Sequence, residues 1–312
     1  MMSRSVSQTV LVHLVIFIYL TDSLLASSSG AGEPKVRCKE AEKQAWLNIK
    51  EELHDKYSLL SSWGKEEEKR ECCEWIGVGC DNNSGHVTKL DLSFPTNFGR
   101  DHDDWPLEGN ISSSLVDLHL LNYLDVSNIY FYGNSIPSFI GTLSRLRYLN
   151  LSSTSLVGEI PSKLAKLSTL QFLYLTYNWH LNIKKLKWIL RLSSFQLLDL
   201  SFTNMSLAND WVFVVNNLPH LLTNLLLRDC NLPDMVPKSS LSLVNSSTVL
   251  VVLDLSLNHL SASIFQLLFN YNRSLVVYLD LSYNNFKGPI PKAFKNMAVL
   301  TYLHLSASHF QG

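Results

Sequence analysis

LNLSSTSLVGEIPSKLAKLSTL, from Leu149 to Leu170, and LDLSYNNFKGPIPKAFKNMAVL, from Leu279 to Leu300, are two copies of one pattern. Each opens with leucines on alternate positions, the period of a strand with one buried face. A glycine follows, Gly158 or Gly288, which permits a tight bend. Then comes Pro161 or Pro291, which fixes an extended path and donates no ladder hydrogen bond. Aligning the chain on the L-x-L core finds nine starts, at Leu90, Leu124, Leu149, Leu173, Leu198, Leu225, Leu253, Leu279 and Leu303. Their spacings are 34, 25, 24, 25, 27, 28, 26 and 24 residues. A unit of this length cannot bury its leucines alone, so consecutive units stack as coils around a shared core. Each leucine buried between coils contributes about 1.5–3 kcal/mol.

That period is the signature of leucine-rich repeats, and it predicts an α/β repeat fold: a solenoid with a parallel β-sheet on its concave face. The array occupies 87–312 as about nine repeats, the last incomplete. Asn178, Asn258 and Asn284 fall just after the strand, where a side-chain amide can satisfy turn backbone groups of neighbouring coils. The sixth repeat has Cys230 at that position, read as a small buried core residue.

Ahead of the array, Ala41, Ala45, Ile49 and Leu53 recur every four residues beside Trp46, predicting an amphipathic helix from about Glu40 to Leu53. Such a helix covers the open end of the solenoid in a cap domain at 35–86, with Trp63 and Trp75 as apolar bulk against a first strand at Val87–Ser93. Further upstream, Arg4 precedes the apolar run Val10–Leu20 and the small residues Ala26–Ser29, which reads as a signal peptide at 1–26. The run is short of the roughly 20 residues a membrane helix needs. No later stretch reaches that length, because Asn216, Asn217, Pro219 and His220 interrupt Trp211–Leu227. After signal cleavage no membrane span is expected.

Secretion makes disulfides available, and Cys38, Cys72, Cys73 and Cys80 cluster in the cap. Adjacent Cys72 and Cys73 are poorly placed to bond each other, so each takes a distal partner; the favoured pairs are Cys38–Cys72 and Cys73–Cys80. The spacing lacks the paired knuckles of a zinc site. Six sequons, at Asn82, Asn110, Asn150, Asn204, Asn245 and Asn272, are glycosylation candidates.

The 312 residues carry 26 Lys+Arg and 27 Asp+Glu, a net charge of -1. That balance supplies no driver for nucleic-acid binding and no polybasic patch for anionic lipid. The chain holds no G-x-S-x-G, no H-E-x-x-H, no phosphate-cradling glycine loop and no kinase motif, so neither catalysis nor a cofactor is expected. Asp101, His102, Asp103 and Asp104 lie in an insertion of the first repeat, between Phe94 and Trp105, and read as a solvated loop rather than a metal site.

The cap CKEAEKQAWLNIKEELHDKYSLLSSWG…CCEWIGVGCDNNSGHVTKLDLS, Cys38 to Ser93, followed by G-x-I-P repeats, resembles plant extracellular leucine-rich-repeat receptors. The runs CKEAEKQA, LLSSWGKEEEKRECC, GHVTKLDL and SFIGTLSRLRYLNLS are most similar to receptor-like proteins of the ethylene-inducing xylanase receptor group. The resemblance implies a cell-surface immune receptor at the plasma membrane that binds a microbial protein or peptide and signals through a partner receptor kinase. It implies the same two cap disulfides. Repeats from Leu173 to about Val277 depart from it by lacking G-x-I-P, and the chain stops at Gly312 inside a repeat, so the amino-terminal portion of an ectodomain is expected. The alternatives are a secreted polygalacturonase-inhibitor-like or decoy protein of the apoplast, or a truncated receptor-kinase ectodomain. Such inhibitors end in a cysteine-bearing cap, and no cysteine follows Cys230.

Residues flanking the strand leucines should line the concave face: Tyr123, Tyr148, Phe172, Tyr174, Tyr177, Phe202, Tyr278, Tyr283 and Tyr302. The middle residue of L-x-L reads Asp91, Asp125, Asn150, Tyr174, Asp199, Leu226, Asp254, Asp280 and His304. Aromatics interspersed with carboxylates suit recognition of a protein with a basic patch, although L-D-L-S is also the commonest form of the repeat. A glycan on Asn150 would project into this face.

Overall fold

A computed structural model describes residues 37–69, 71–93, 105–234, 250–270 and 276–310. The expected signal peptide, the cluster Asp101–Asp104 and the sequons at Asn245 and Asn272 lie outside the described residues.

The helix Glu40–Glu51 buries Ala45, Trp46, Leu47 and Ile49. It stops short of the expected Leu53 because Leu53–Asp55 leaves as a strand paired antiparallel with Leu107–Gly109. Its buried Glu42 accepts hydrogen bonds from Val87 N (2.7 Å) and meets His86 Nδ1 (2.8 Å), which fastens the helix to the first strand of the array. Trp63 stacks on Trp75 at 5.7 Å and meets Trp46 edge-on at 5.6 Å, filling the space beneath. The disulfides Cys38–Cys72 and Cys73–Cys80 close the cap as expected.

The array builds a 10-stranded sheet. Val78–Cys80 of the cap lies antiparallel to Val87–Asp91, and every later neighbour is parallel. The nine repeat-start leucines stand opposite one another in register, from Leu90↔Leu124 to Leu279↔Leu303. Their side chains point inward: Leu149, Leu151, Leu173, Leu175, Leu198 and Leu200 are all 0 % exposed.

The turn after each strand repeats one device. Asn128, Ser153, Tyr177, Phe202, Asp229, Leu257, Tyr283 and Ala307 all hold a left-handed backbone, with φ from 49 to 61°. All but Ala307, in the last coil, donate their amides across to the next coil, as Tyr177 N does to Ser201 O (3.1 Å) and Phe202 N to Arg228 O (2.8 Å). The cross-coil bond offsets the steric cost of that conformation in a residue with a Cβ. Coils close on the far side with 3-10 turns such as Ser138–Thr142 and Ser162–Lys166. Two coils without G-x-I-P close instead with short α-helices, Trp211–Val215 and Ile264–Asn270. Among the described residues no helix is long and apolar enough to cross a membrane.

Candidate ligand-binding face

The strands of the second to fourth coils bring Tyr123, Tyr148, Phe172 and Tyr174 together on one surface. Tyr123 and Tyr148, opposite each other on neighbouring strands, stack with centroids 4.2 Å apart and planes 5° from parallel. Lys89 caps the stack, its Nζ 4.7 Å from the Tyr123 ring and 3.1 Å from Asp91. On the other side Tyr148 meets Tyr174 at 5.5 Å and Phe172 at 6.3 Å. Asp125 anchors the group: its Oδ2 accepts from Tyr148 Oη (3.2 Å) and Asn150 Nδ2 (2.9 Å), while Oδ1 accepts from Ser127. Burial, reinforced by the Asp125 carboxylate, pushes the Tyr123 and Tyr148 phenols far above their usual range, so both remain neutral hydrogen-bonding groups.

A second patch lies beyond the apolar middle of the sheet, where Leu197 and Leu226 are buried. Asp254 and Asp280 occupy matching positions on adjacent strands. Burial raises the Asp254 carboxyl to about 6, and the neighbouring Asp280 charge adds to the effect. Ser256 and Ser282 each donate twice to one carboxylate oxygen of their own repeat. Tyr278 sits 6.1 Å from Tyr302 and 5.3 Å from His304.

The expected exposed acidic stripe is largely sunk. Asp125, Asp199 and Asp280 are 3 %, 5 % and 7 % exposed, because the serine two residues on draws each carboxylate down against the backbone. Tyr177, Tyr283 and Tyr302 are about half exposed, and the other aromatics of the face are half-buried. Of the described sequons, Asn82 and Asn110 are exposed, and Asn150 and Asn204 half-buried.

The sequence reading missed an exposed aromatic beside Tyr177. Trp179 is 53 % exposed and joins Tyr177 and Phe202 on the turns after the strands. Two residues separate Asn178 from Leu181, against one between Thr154 and Leu156 in the preceding coil. That extra residue was the available signal. Among the described residues, the sulfurs of Cys38, Cys72 and Cys73 lie close enough together for a metal, but all three are bonded in disulfides. Cys230 is fully buried, as expected, with its Sγ 3.1 Å from Leu200 O.

Comparison with known proteins agrees with this architecture. The chain matches the leucine rich repeat N-terminal domain over residues 39–81 and the leucine rich repeat over 145–167 and 276–297. It is 40 % identical over 287 residues to the tomato (Solanum lycopersicum) receptor-like protein EIX1, a match covering 90 % of this chain and 27 % of the relative. Tomato receptor-like protein EIX2 is 40 % identical over 275 residues, covering 87 % of this chain and 26 % of the relative. The chain thus spans about a quarter of the length of these relatives. Among solved structures, the Arabidopsis receptor kinase HAESA ectodomain, in complex with an extended IDA peptide hormone, superposes with a TM-score of 0.62 at 25 % identity. That match covers 86 % of this chain and 45 % of HAESA.

Proposed function

We propose, on the premise that this chain is a leucine-rich-repeat segment similar to the tomato receptor-like proteins, that it is the ligand-recognition region of a plant cell-surface immune receptor. It binds a microbial protein or peptide on the solvent face of its long sheet and signals through a partner receptor kinase. The observation that carries this reading is the aromatic surface Tyr123–Tyr148–Tyr174 with its Lys89 and Asp125 anchors. Rigid rings with polar ends offer large contact area at low conformational cost, which is the composition of binding hot spots. Half-buried Asp254 and Tyr278 add a carboxylate and a phenol suited to a basic side chain of the ligand. The work is done by binding, and the site of action is the extracellular side of the plasma membrane.

Hydroxyl-radical footprinting of the chain with and without a purified ethylene-inducing fungal xylanase tests this reading. The expected result is loss of labelling at Tyr174, Tyr278 and Tyr302. Unchanged labelling there, or protection confined to Tyr57 and Tyr132 away from the sheet, contradicts it.

A further inference from the structure

We propose that Asn204 carries an N-linked glycan whose first N-acetylglucosamine packs on the exposed ring of Trp179. The inference starts from an unexplained feature. Trp179 leaves half its surface in water at 53 % exposure, and of the seven tryptophans it is the only one so exposed. An indole held open beside Tyr177 and Phe202 is an unfilled aromatic surface.

The sequon Asn204-Met205-Ser206 lies beside it. Phe202, two residues ahead of Asn204, is 5.0 Å from the Trp179 ring. Asn204 Nδ2 donates to Asn182 Oδ1 at 2.9 Å, and Asn182 ends the strand that Trp179 immediately precedes. Phe202 is itself covered by Tyr177, stacked at 4.4 Å, and by the Arg228 guanidinium at 5.9 Å. The free ring next to the sequon is therefore that of Trp179. A pyranose presents an apolar C–H face that suits the electron-rich face of an indole, and its hydroxyls remain in water.

The attachment chemistry fits the hydrogen bonding. Nδ2 gives up one proton and bonds the anomeric carbon of a lipid-linked oligosaccharide donor, whose lipid diphosphate leaves. The second N–H stays on Nδ2 and keeps the bond to Asn182. Asn204 Oδ1 accepts from Ser206 N at 3.1 Å, so the carbonyl end of the amide is engaged by the sequon itself. Asn150, which also follows an aromatic residue by two, contrasts with this. Its Nδ2 has two acceptors, the Asp125 carboxylate at 2.9 Å and Tyr148 Oη at 3.5 Å, where Asn204 Nδ2 has Asn182 Oδ1, and the Tyr148 ring is already stacked on Tyr123.

The test uses the 312-residue chain secreted from plant cells, with glycopeptide mass spectrometry for occupancy and acrylamide quenching of tryptophan fluorescence for burial. Ser206→Ala removes the sequon and leaves the rings and the backbone donor to Asn204 in place. Occupied Asn204 in the parent, with a roughly twofold rise in quenching in Ser206→Ala, is the expected result, since Trp179 is the most exposed indole. The rise should vanish in a Trp179→Phe background. Trimming the native glycan enzymatically to a single N-acetylglucosamine should leave quenching low. An unoccupied Asn204, equal quenching with and without the sequon, or a rise that persists in Trp179→Phe would each overturn the proposal.

Discussion

The side chain of Asn178 joins two coils: its Nδ2 donates to Leu151 O of the preceding coil at 2.8 Å, and its Oδ1 accepts from Leu156 N at 3.0 Å. Both partners and the amide are fully buried. Asn258 and Asn284 repeat the arrangement two and one coils from the last strand, reaching back to Leu227 O and Leu255 O. Asn178→Ala leaves a buried donor and a buried acceptor without partners. At roughly 1–3 kcal/mol per unsatisfied group, a loss of about 3 kcal/mol is expected, read as a lowered urea midpoint. An unchanged midpoint would remove the asparagine ladder from the account of stability.

The two cap disulfides differ in the chain they close. Cys38–Cys72 spans 34 residues and Cys73–Cys80 only 7. Loop-closure entropy grows with span, so Cys38→Ser is expected to cost about 3–4 kcal/mol and Cys80→Ser nearer 2–3. Limited proteolysis reads the effect, with cleavage appearing first in the cap. Equal melting and equal protease resistance in the parent and both variants would contradict this role.

Asp254 sets a pH dependence of definite sign. Its folded-state carboxyl is raised from 3.8 to about 6, so the native state binds the proton more tightly than the unfolded chain. Its contribution is fully present below 3.8 and is lost as pH rises through about 6. Asp254→Asn removes that loss. The variant is expected to match the parent in acid and to exceed it by about 1–2 kcal/mol at neutral pH, after allowance for screening at a partly exposed site. A constant difference between the two proteins across that window would refute the assignment.

Most of the framework was legible because the leucine period is a strong, repeated signal. The nine L-x-L starts became nine strands in register, and the cap cysteines paired as expected. The surface was less legible. The burial of Asp125, Asp199 and Asp280 depends on short bonds to the serine two residues on, a detail that L-D-L-S hides by being common to the repeat. Trp179 was missed because one extra residue after Asn178 carried it outside the strand pattern. The helices Trp211–Val215 and Ile264–Asn270 lie where G-x-I-P is absent, a departure that did not specify coil shape, and they bury Trp211, Val214, Val215, Ile264, Leu267 and Leu268.

Cys230 supplies a chemical check on the core. Burial pushes its thiol well above the usual range, and the group is fully enclosed. No reaction with iodoacetamide is expected in the native protein, and one alkylated site is expected after denaturation without reductant. Rapid native labelling of Cys230 would show that the coil carrying it opens.

The most direct test of the recognition face is the affinity of the chain for a purified ethylene-inducing fungal xylanase, measured by biolayer interferometry on parent, Tyr148→Ala and Lys166→Ala. Tyr148 lies at the centre of the aromatic surface, and Lys166 is exposed on the 3-10 turn that closes the same coil. The account predicts weakening of about tenfold or more in Tyr148→Ala and parent affinity in Lys166→Ala. No binding by the parent, or equal affinity in Tyr148→Ala and the parent, would contradict it.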